Sequence, residues 1–396
     1  MPGQARPPIS PQATAPRPGR PIRALIVDDS ALTRRVLSAA LSTAGDIEVV
    51  GTAASGAECL ARVHELKPDV VTLDVEMPGM DGLAVLRQLM ARSPLPVVMV
   101  SYLTHEGATA TVRALLDGAV DFVPKPGGAI LTSVSTLRDE LVRKVREAAR
   151  SRPRVSRPAP HTPQPPPASR PALRPSLQPR SPALTPPSTH APLAHAGQPF
   201  ERLVVIGAST GGPQALQVIV QELRPDGRTA YVIVQHMPDG MSGVLAELLD
   251  GFSPLTIREA RSTDRLSPDT VLMAPGDWHL RLGPGGTVEL DRGPKVHWVR
   301  PSVDVTLLAA AEVYGSRTIA AILTGMGVDG ADGAEAIHHA GGTVITEDRS
   351  TCVVWGMPKA VAARGIADHI VPLPEVAGTI RQLLMRRAQL GQRVTV

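Results

Sequence analysis

The chain has 396 residues, a length that predicts two or three domains, and 43% of its residues are hydrophobic, enough to fill their cores. Its net charge is only +4, and nine arginines without any acidic residue lie in segments 1–20 and 151–200, so the remainder is mildly acidic and no nucleic-acid partner is expected. The two cysteines lack metal-ligand spacing, and no apolar stretch is long enough for a membrane span or a signal core. We therefore expect a cytoplasmic protein that does not insert into the membrane.

Proline-rich composition sets two segments apart from the rest of the chain. Residues 1–20 consist mostly of Pro, Arg, Ala and Gln without periodicity, which predicts a disordered tail. Residues 151–200 are still richer in proline and offer few large apolar side chains, which is typical of a semi-extended linker with polyproline character. These segments leave two folded blocks, residues 21–150 and residues 201–396.

The first block alternates short apolar runs with helical patterns. The predicted strands are IRALIV, EVVGTA, DVVTL, PVVMV and DFVP. Amphipathic helical patterns separate them, and one more helix follows the last strand. Five such alternations predict an α/β domain with a five-stranded, doubly wound parallel sheet.

Polar residues end four of these predicted strands. Asp28 and Asp29 end the first strand, Asp74 ends the third, Ser101 ends the fourth and Lys125 ends the fifth. Functional groups of an open parallel sheet gather at the carboxyl ends of its strands. Three carboxylates so close repel one another unless a hard cation such as Mg²⁺ lies among them. The alternative, solvated polar residues at strand ends, fits any one of these positions better than all of them together.

On these residues, segment 22–145 resembles the response-regulator receiver domains of the CheY kind. The resemblance implies phosphorylation of an aspartate in the presence of Mg²⁺. The implied roles are phospho-acceptor for Asp74, Mg²⁺ binding for Asp28, Asp29 and Asp74 with the Glu76 carbonyl, phosphate contact for Lys125, and switch positions for Ser101 and Phe122.

The second block repeats the α/β alternation with one interruption. Its predicted strands are RLVVIG, AYVIVQ, DTVLMAPG, TIAAILTG, GTVITED and DHIVPL. The stretch HLRLGPGGTVELD alternates in polarity around a Gly-Pro-Gly-Gly turn and predicts a β-hairpin. We expect a doubly wound, mainly parallel sheet with a hairpin insertion.

The first strand of this block runs into the glycine-rich turn Gly207-Ala208-Ser209-Thr210-Gly211. This turn fits the G-x-S-x-G pattern, in which glycines permit a sharp turn and leave the serine hydroxyl exposed as a nucleophile. Alternatively it cradles a phosphate, although G-x-G-x-x-G and a P-loop lysine are absent, or it is only a tight turn.

A nucleophilic serine needs a basic partner, and His236 is the strongest candidate because it ends the next predicted strand. If the two strands are neighbours, His236 lies beside Ser209. His279 and His297 flank the hairpin and are also placed to line a cleft. The remaining histidines of this block suit a base less well, because they lie within a helix or start a strand: His338, His339 and His369.

The base needs an orienting acid, and Asp329 follows a further apolar strand in the stretch LTGMGVDGADG. Asp332 is the lesser candidate because it falls within the following helix. Asp277 and Asp304 remain rivals that spacing alone does not exclude. The order Ser, His, Asp differs from the order in α/β-hydrolases, so such a site belongs to another fold.

At these residues the second block resembles the CheB methylesterase family, and with the receiver the resemblance covers both blocks. The matching stretches are IGASTGG, QHMP, APGDWHL, RPSVDV, LTGMGVDGADG and CVVWGMP. The implied roles are nucleophile for Ser209, base for His236, orienting acid for Asp329, and oxyanion contacts for Thr210 and Met326. The proline-rich tail and the long linker depart from the family pattern.

The resemblance implies a phosphorylation-regulated protein-glutamate methylesterase and protein-glutamine deamidase that needs no cofactor for the esterase step. It further implies methyl-accepting chemotaxis receptors as substrates and a CheA-type histidine kinase as phosphodonor. The two-block layout suggests that the unphosphorylated receiver covers the cleft and that phosphorylation of Asp74 shifts it away. Composition and spacing alone reach only a serine acyl hydrolase.

Two other classes compete with the enzyme. One is a receiver-output protein that binds a nucleotide at residues 207–212, which would not require His236 or Asp329 at neighbouring strand ends. The other is a DNA-binding output domain, which is disfavoured because the second block lacks a basic cluster on a recognition helix.

Overall fold

The structure, a computed structural model, describes residues 20–102, 104–125, 134–151 and 199–392. The proposed tail and proline-rich linker therefore lie almost wholly outside the described residues. Within the described residues, no helix combines the length and the apolar character that crossing a bilayer requires.

The first block folds as an α/β layer structure around a parallel sheet of order β2-β1-β3-β4-β5. Each predicted strand forms, and its helices cover both faces, which confirms the expected fold class. The strands are β1 (Ile22–Val27), β2 (Ile47–Ala53), β3 (Val70–Asp74), β4 (Val97–Ser101) and β5 (Asp121–Pro124). The helices are α1 (Ala31–Ser42), α2 (Gly56–Leu66), α3 (Gly82–Arg92), α4 (His105–Asp117) and α5 (Val134–Arg150).

Side-chain caps fix where the receiver helices begin. Ser30, Ser55, Asp81 and Thr104 each accept a hydrogen bond from the backbone N–H three residues ahead, at the starts of α1 to α4. Such caps satisfy N–H groups that have no partner within the helix. The residues just before the caps, including Asp28 and Asp29, are thereby held at the carboxyl edge of the sheet.

The second block is built on a seven-stranded parallel sheet of order β14-β13-β12-β6-β7-β9-β8. Its central strands are β6 (Arg202–Ala208), β7 (Thr229–Gln235) and β12 (Thr318–Ile322). Residues of β6 pair with β7 on one side and with β12 on the other. The strands that precede Ser209, His236 and Asp329 are therefore neighbours in the sheet.

The remaining strands extend this sheet or form the predicted hairpin. They are β8 (Thr256–Glu259), β9 (Thr270–Met273), the antiparallel pair β10 (His279–Leu282) and β11 (Val288–Asp291), β13 (Thr343–Glu347) and β14 (His369–Val371). The helices are α6 (Gly212–Glu222), α7 (Met241–Asp250), α8 (Val303–Tyr314), α9 (Ala331–His339), α10 (Met357–Ala363) and α11 (Leu373–Gln392).

The two blocks share a packed interface. Helix α4 of the receiver packs against α6 and α7 of the second block. Residues of one continuous buried cluster come from both blocks, among them Val112 and Leu115 of α4 and Leu216 of α6. The receiver therefore lies over the face of the second block that carries the start of α6.

Candidate active site and receiver site

The predicted nucleophile Ser209 lies in the turn between β6 and α6. Its N–H donates to the carbonyl of Thr324 at 3.0 Å, and its own carbonyl accepts the N–H of Gly212 at 2.7 Å. Gly211 takes a φ of +75°, which only glycine adopts without strain, and a Cβ there would lie 2.6 Å from the Val353 Cβ. The glycines thus let the chain turn sharply and leave Ser209 partly exposed.

His236 and Asp329 meet beside this turn. His236 follows β7, and its Nε2 lies 2.7 Å from Asp329 Oδ2 in the loop that follows β12. With Nε2 facing the acid, Nδ1 is the nitrogen left for a proton from Ser209. Among the described residues no hydrogen bond joins the Ser209 hydroxyl to His236, and catalytic bonds of this kind commonly tighten only when substrate binds.

Asp329 is a buried anion with unusually complete hydrogen bonding. Besides His236, its carboxylate accepts from Ser302 Oγ at 2.6 Å and from the N–H groups of Val303 at 2.7 Å and Asp304 at 3.2 Å. Burial alone would raise the pKa of this carboxyl, but the bonds from His236, Ser302 and Val303 hold the pKa below its ordinary value. Asp329 therefore stays ionised beside His236.

The rival acids have other partners. Asp277 accepts from Arg300 at 2.7 Å, and Asp332 accepts from Arg364. Asp304 lies near His297 Nε2 at 3.2 Å, and burial together with the neighbouring Asp329 raises its pKa to about 6. Asp329 is thus the acid that the structure brings to His236.

Among the described residues, three of the other histidines of this block have partners other than Ser209 and His236. His279 is buried, with Nε2 bonded to the carbonyl of Pro294, so it does not line an open cleft. His338 and His339 are exposed in the last turn of α9 rather than in its middle, and His369 starts β14 as expected.

The two expected oxyanion residues flank the nucleophile. Thr210 is its chain neighbour. Met326 follows Gly325, and Gly325 packs so closely on the nucleophile that a Cβ on this glycine would lie 2.8 Å from the Ser209 Cβ. In this arrangement Thr210 Oγ1 donates to the receiver's Asp121 at 2.6 Å, and Met326 Sδ accepts from Arg143 at 2.6 Å. Both residues therefore touch the receiver as well as the nucleophile turn.

The predicted receiver residues also converge at one edge. Lys125 Nζ lies 2.6 Å from Asp74 Oδ2 and 2.9 Å from Asp28 Oδ2. Burial raises the pKa of Asp74 to about 6, against the opposing effect of Lys125. Burial would lower the pKa of Lys125, yet its bonds to both acids raise it. A buried acid pair with one lysine retains excess negative charge whenever both acids are ionised.

This edge fits a hard cation. Carboxylate oxygens of Asp28, Asp29 and Asp74 lie within 4.8 Å of one another. Apart from its ion pair with Lys125, Asp28 Oδ2 has no hydrogen-bond partner among the described residues. Oxygen ligands of this type suit Mg²⁺. Asp29 is exposed, whereas Asp28 and Asp74 are buried, so the site is open on one side.

The two switch positions differ in their surroundings. Ser101 ends β4, is buried, and donates to the carbonyl of Tyr102 at 3.1 Å. Phe122 is also buried, with the Lys144 ammonium 4.6 Å from its ring centre. In the sequence Phe122 directly follows Asp121, the residue that contacts Thr210.

Polar contacts join the receiver directly to the nucleophile turn. The N–H of Gly211 donates to the carbonyl of Val120 at 3.2 Å. Gln214 Nε2 donates to the carbonyls of Leu115 at 2.8 Å and Ala119 at 3.2 Å. These interface residues could not be predicted from the sequence, because no local pattern distinguishes Asp121 from other strand residues.

Both blocks of the chain match known protein families. Residues 24–133 match the response regulator receiver domain model, and residues 204–380 match the CheB methylesterase model. A receiver joined to a methylesterase fold is thus the class to which both halves point.

Relatives that match over nearly the whole chain identify the family. The chain is 46% identical to a protein-glutamate methylesterase/protein-glutamine glutaminase of Symbiobacterium thermophilum, over 91% of this chain and 96% of the relative. It is 42% identical to the protein of that name from Thermotoga maritima, over 92% of this chain and 99% of the relative. A crystal structure of the Thermotoga maritima CheB methylesterase catalytic domain is 48% identical, with a TM-score of 0.45, and covers 46% of this chain and 98% of that one. The chain belongs to the CheB methylesterase family.

Proposed function

We propose that the chain is a protein-glutamate methylesterase and protein-glutamine glutaminase that acts on methyl-accepting chemotaxis receptors. Family membership and the names of its full-length relatives support the reaction class. The observation that carries the proposal is the 2.7 Å contact of His236 Nε2 with the buried Asp329, beside the turn that presents Ser209.

In the first half of the proposed reaction, Ser209 Oγ attacks the ester carbonyl while His236 Nδ1 takes its proton. The ionised Asp329 fixes the imidazole through Nε2 and stabilises the imidazolium that forms. Backbone N–H groups near Thr210 and Met326 are the proposed donors to the tetrahedral oxyanion. Collapse of this intermediate releases methanol with the proton from His236 and leaves a glutamyl ester on Ser209.

In the second half, water attacks this acyl-enzyme while His236 takes its proton, and the proton then returns to Ser209 as glutamate leaves. A glutamine side chain follows the same route, with ammonia as the leaving group in place of methanol. Two hydrolytic activities therefore need only one set of residues.

The direct test is methanol release from membranes that contain methylated receptors. We expect Ser209→Ala to abolish release while its circular dichroism stays unchanged, and Ser262→Ala, at an exposed serine of the same domain, to keep wild-type turnover. Turnover near the wild-type rate in Ser209→Ala would refute the assignment of the nucleophile. Labelling of Ser209 by a fluorophosphonate would separately exclude the nucleotide-binding alternative.

The receiver site is proposed to accept a phosphoryl group on Asp74 from a CheA-type histidine kinase. Asp28, Asp29 and Asp74 would hold Mg²⁺, with the Glu76 carbonyl as a further ligand, and the ion would offset the charge of the incoming phosphoryl group. Lys125 is placed to contact the phosphoryl oxygens because it already bonds Asp74. Ser101 and Phe122 are the residues proposed to change position when Asp74 is phosphorylated.

Phosphorylation is proposed to regulate the esterase by moving the receiver off the nucleophile turn. The bond from Thr210 to Asp121 and that from Gly211 to Val120 support this, because both place receiver oxygens at the start of α6. Wild-type methanol release should rise with a small-molecule phosphodonor and Mg²⁺, and that of Asp74→Asn should not. Equal responses of the two proteins would rule out regulation through Asp74.

A further inference from the structure

The carboxylate of Asp329 is held on the side away from His236 by the hydroxyl of Ser302. We propose that Ser302 is a positioning residue of the esterase, which sets the orientation of Asp329 and through it that of His236. This inference rests on the proposed role of Ser209, His236 and Asp329.

The two oxygens of Asp329 have separate sets of donors. Oδ2 accepts from His236 Nε2 and from the N–H of Val303, both at 2.7 Å. Oδ1 accepts from Ser302 Oγ at 2.6 Å, whereas the other donor to Oδ1, the N–H of Asp304, lies at 3.2 Å. The Ser302 hydroxyl is thus the short contact that prevents the carboxylate from rotating about its own axis.

The direction of the hydroxyl proton follows from the partners of Ser302. Its Oγ accepts the N–H of Val305 at 3.4 Å as the N-cap of α8. The ionised carboxylate of Asp329 has only acceptors to offer, so the hydroxyl proton must lie on the line from Oγ to Oδ1. One oxygen therefore both caps α8 and donates to the proposed catalytic acid.

Ser302 is itself fixed in place by His279 at the start of β10. The Ser302 N–H donates to His279 Nδ1 at 3.2 Å, and His279 Nε2 faces the carbonyl of Pro294 at 3.0 Å. Because the first partner is a donor and the second an acceptor, His279 carries its proton on Nε2. A buried chain of hydrogen bonds thus runs from Pro294 through His279 and Ser302 to Asp329.

The kinetic consequence differs from that of a substrate contact. Ser302 is completely buried, so it touches no substrate and its loss should leave KM unchanged. Asp329 would still be held by His236, by Val303 and by the longer bond from Asp304, but Oδ1 would lose its short contact and the imidazole its fixed orientation. Misplacement of a catalytic group on this scale lowers kcat by about 10- to 100-fold.

The test compares Ser302→Ala, Ser302→Gly and Ser302→Thr in the full chain, with kcat and KM for methanol release from methylated receptor membranes. Alanine and glycine both remove the donor, but glycine is the better N-cap, so their stabilities should differ. We expect both to lose kcat equally, and threonine, which keeps the hydroxyl, to recover at least tenfold over alanine. A matched control is Ser55→Ala, which removes the N-cap of α2 in the receiver and should leave kcat unchanged.

Three results would overturn the inference. One is a kcat of Ser302→Ala within twofold of wild type while Ser209→Ala is inactive. Another is activity that follows stability, so that glycine retains kcat and alanine does not. The third is a Ser209→Ala variant that hydrolyses normally, which would remove the proposed function and this inference together, and is thus distinguishable from the first two.

Discussion

Two buried aspartates, Asp74 and Asp329, lie at the carboxyl edges of the two parallel sheets, yet their surroundings act in opposite directions. Asp74 lies beside Asp28 and has Lys125 as its cationic partner, and its pKa is raised to about 6. Asp329 accepts hydrogen bonds from an imidazole, a hydroxyl and two amides at the start of α8, and its pKa is lowered.

The difference shows that position in the fold does not determine the chemistry of a strand-end acid. The receiver edge collects negative charge in excess of its one lysine, which suits a site that gains a cation and a phosphoryl group. The esterase edge supplies donors for a permanent anion, including the helix N-terminus that favours negative charge. The number of fixed donors around the carboxylate is thus the main physical difference between the proposed phospho-acceptor Asp74 and the proposed orienting acid Asp329.

The largest expected effect is at the esterase edge. Asp329→Asn keeps the shape of the side chain but cannot offset the imidazolium, and it places an amide N–H₂ or a neutral oxygen against His236. If Asp329 has the proposed role, methanol release should fall by about 10⁴-fold, as for the equivalent change in a Ser-His-Asp protease. Asp332→Asn, at an exposed acid three residues on, serves as the control and should change turnover by less than about twofold, because surface ion pairs such as that with Arg364 contribute little.

The same Asp→Asn change at the receiver edge should increase the stability of the folded receiver. Because the pKa of Asp74 is raised from 3.8 to about 6, ionised Asp74 disfavours the folded receiver, and the cost grows as pH rises through this range. Without divalent cations, Asp74→Asn should stabilise the receiver by up to about 3 kcal/mol above pH 6, at about 1.4 kcal/mol per pK unit.

This stabilisation should vanish only below about pH 3, under the unfolded-chain pKa of 3.8, where Asp74 is protonated in both the folded and the unfolded chain. The measurement is urea unfolding of both proteins at a series of pH values, with hydrogen exchange of the β3 and β4 amides as the probe. It gives the difference in the free energy of unfolding between Asp74→Asn and the wild type. A difference in the free energy of unfolding that does not depend on pH would contradict the charge explanation.

The smallest expected effect is at the contact between the receiver and the nucleophile turn. Asp121→Ala removes the acceptor of Thr210 Oγ1 and one partner of Lys144. Loss of such a bond, about 1 kcal/mol, should raise basal methanol release up to about fivefold by weakening the closed arrangement. Asp117→Ala, which breaks a surface pair with Arg87, is the control. If basal release is unchanged in Asp121→Ala, this bond does not hold the receiver in place.

The sequence predicts most of the fold because continuous apolar strands and their polar ends carry a strong signal. The strand missed in the second block is β8, whose four residues, Thr-Ile-Arg-Glu, contain one buried apolar side chain. An edge strand needs burial on only part of its surface, so its composition resembles that of a loop. Its pairing with β9 alone makes it a strand.

Some residues of the candidate site could likewise be predicted from the sequence, and others could not. Ser209, His236 and Asp329 could be predicted because each follows a strand, and parallel strands bring their carboxyl ends together. Ser302 could not be predicted, because its role depends on a loop that returns after the hairpin and places the start of α8 against Asp329. Spacing along the chain likewise could not exclude Asp277 and Asp304 as partners of His236. Only the structure shows that Asp277 is bonded to Arg300 and that Asp304 lies beside His297.

The central place of β6 in the seven-stranded sheet has a consequence for synthesis on the ribosome. Strand β6 pairs with β7, which is made soon after it, but also with β12, which follows only after the hairpin and α8. Pairings between distant segments form late in folding. A nascent chain that has emerged only as far as β11 carries Ser209 and His236 without Asp329, and its receiver is already complete. The receiver residues that contact the nucleophile turn, Val120 and Asp121, are therefore synthesised well before Asp329.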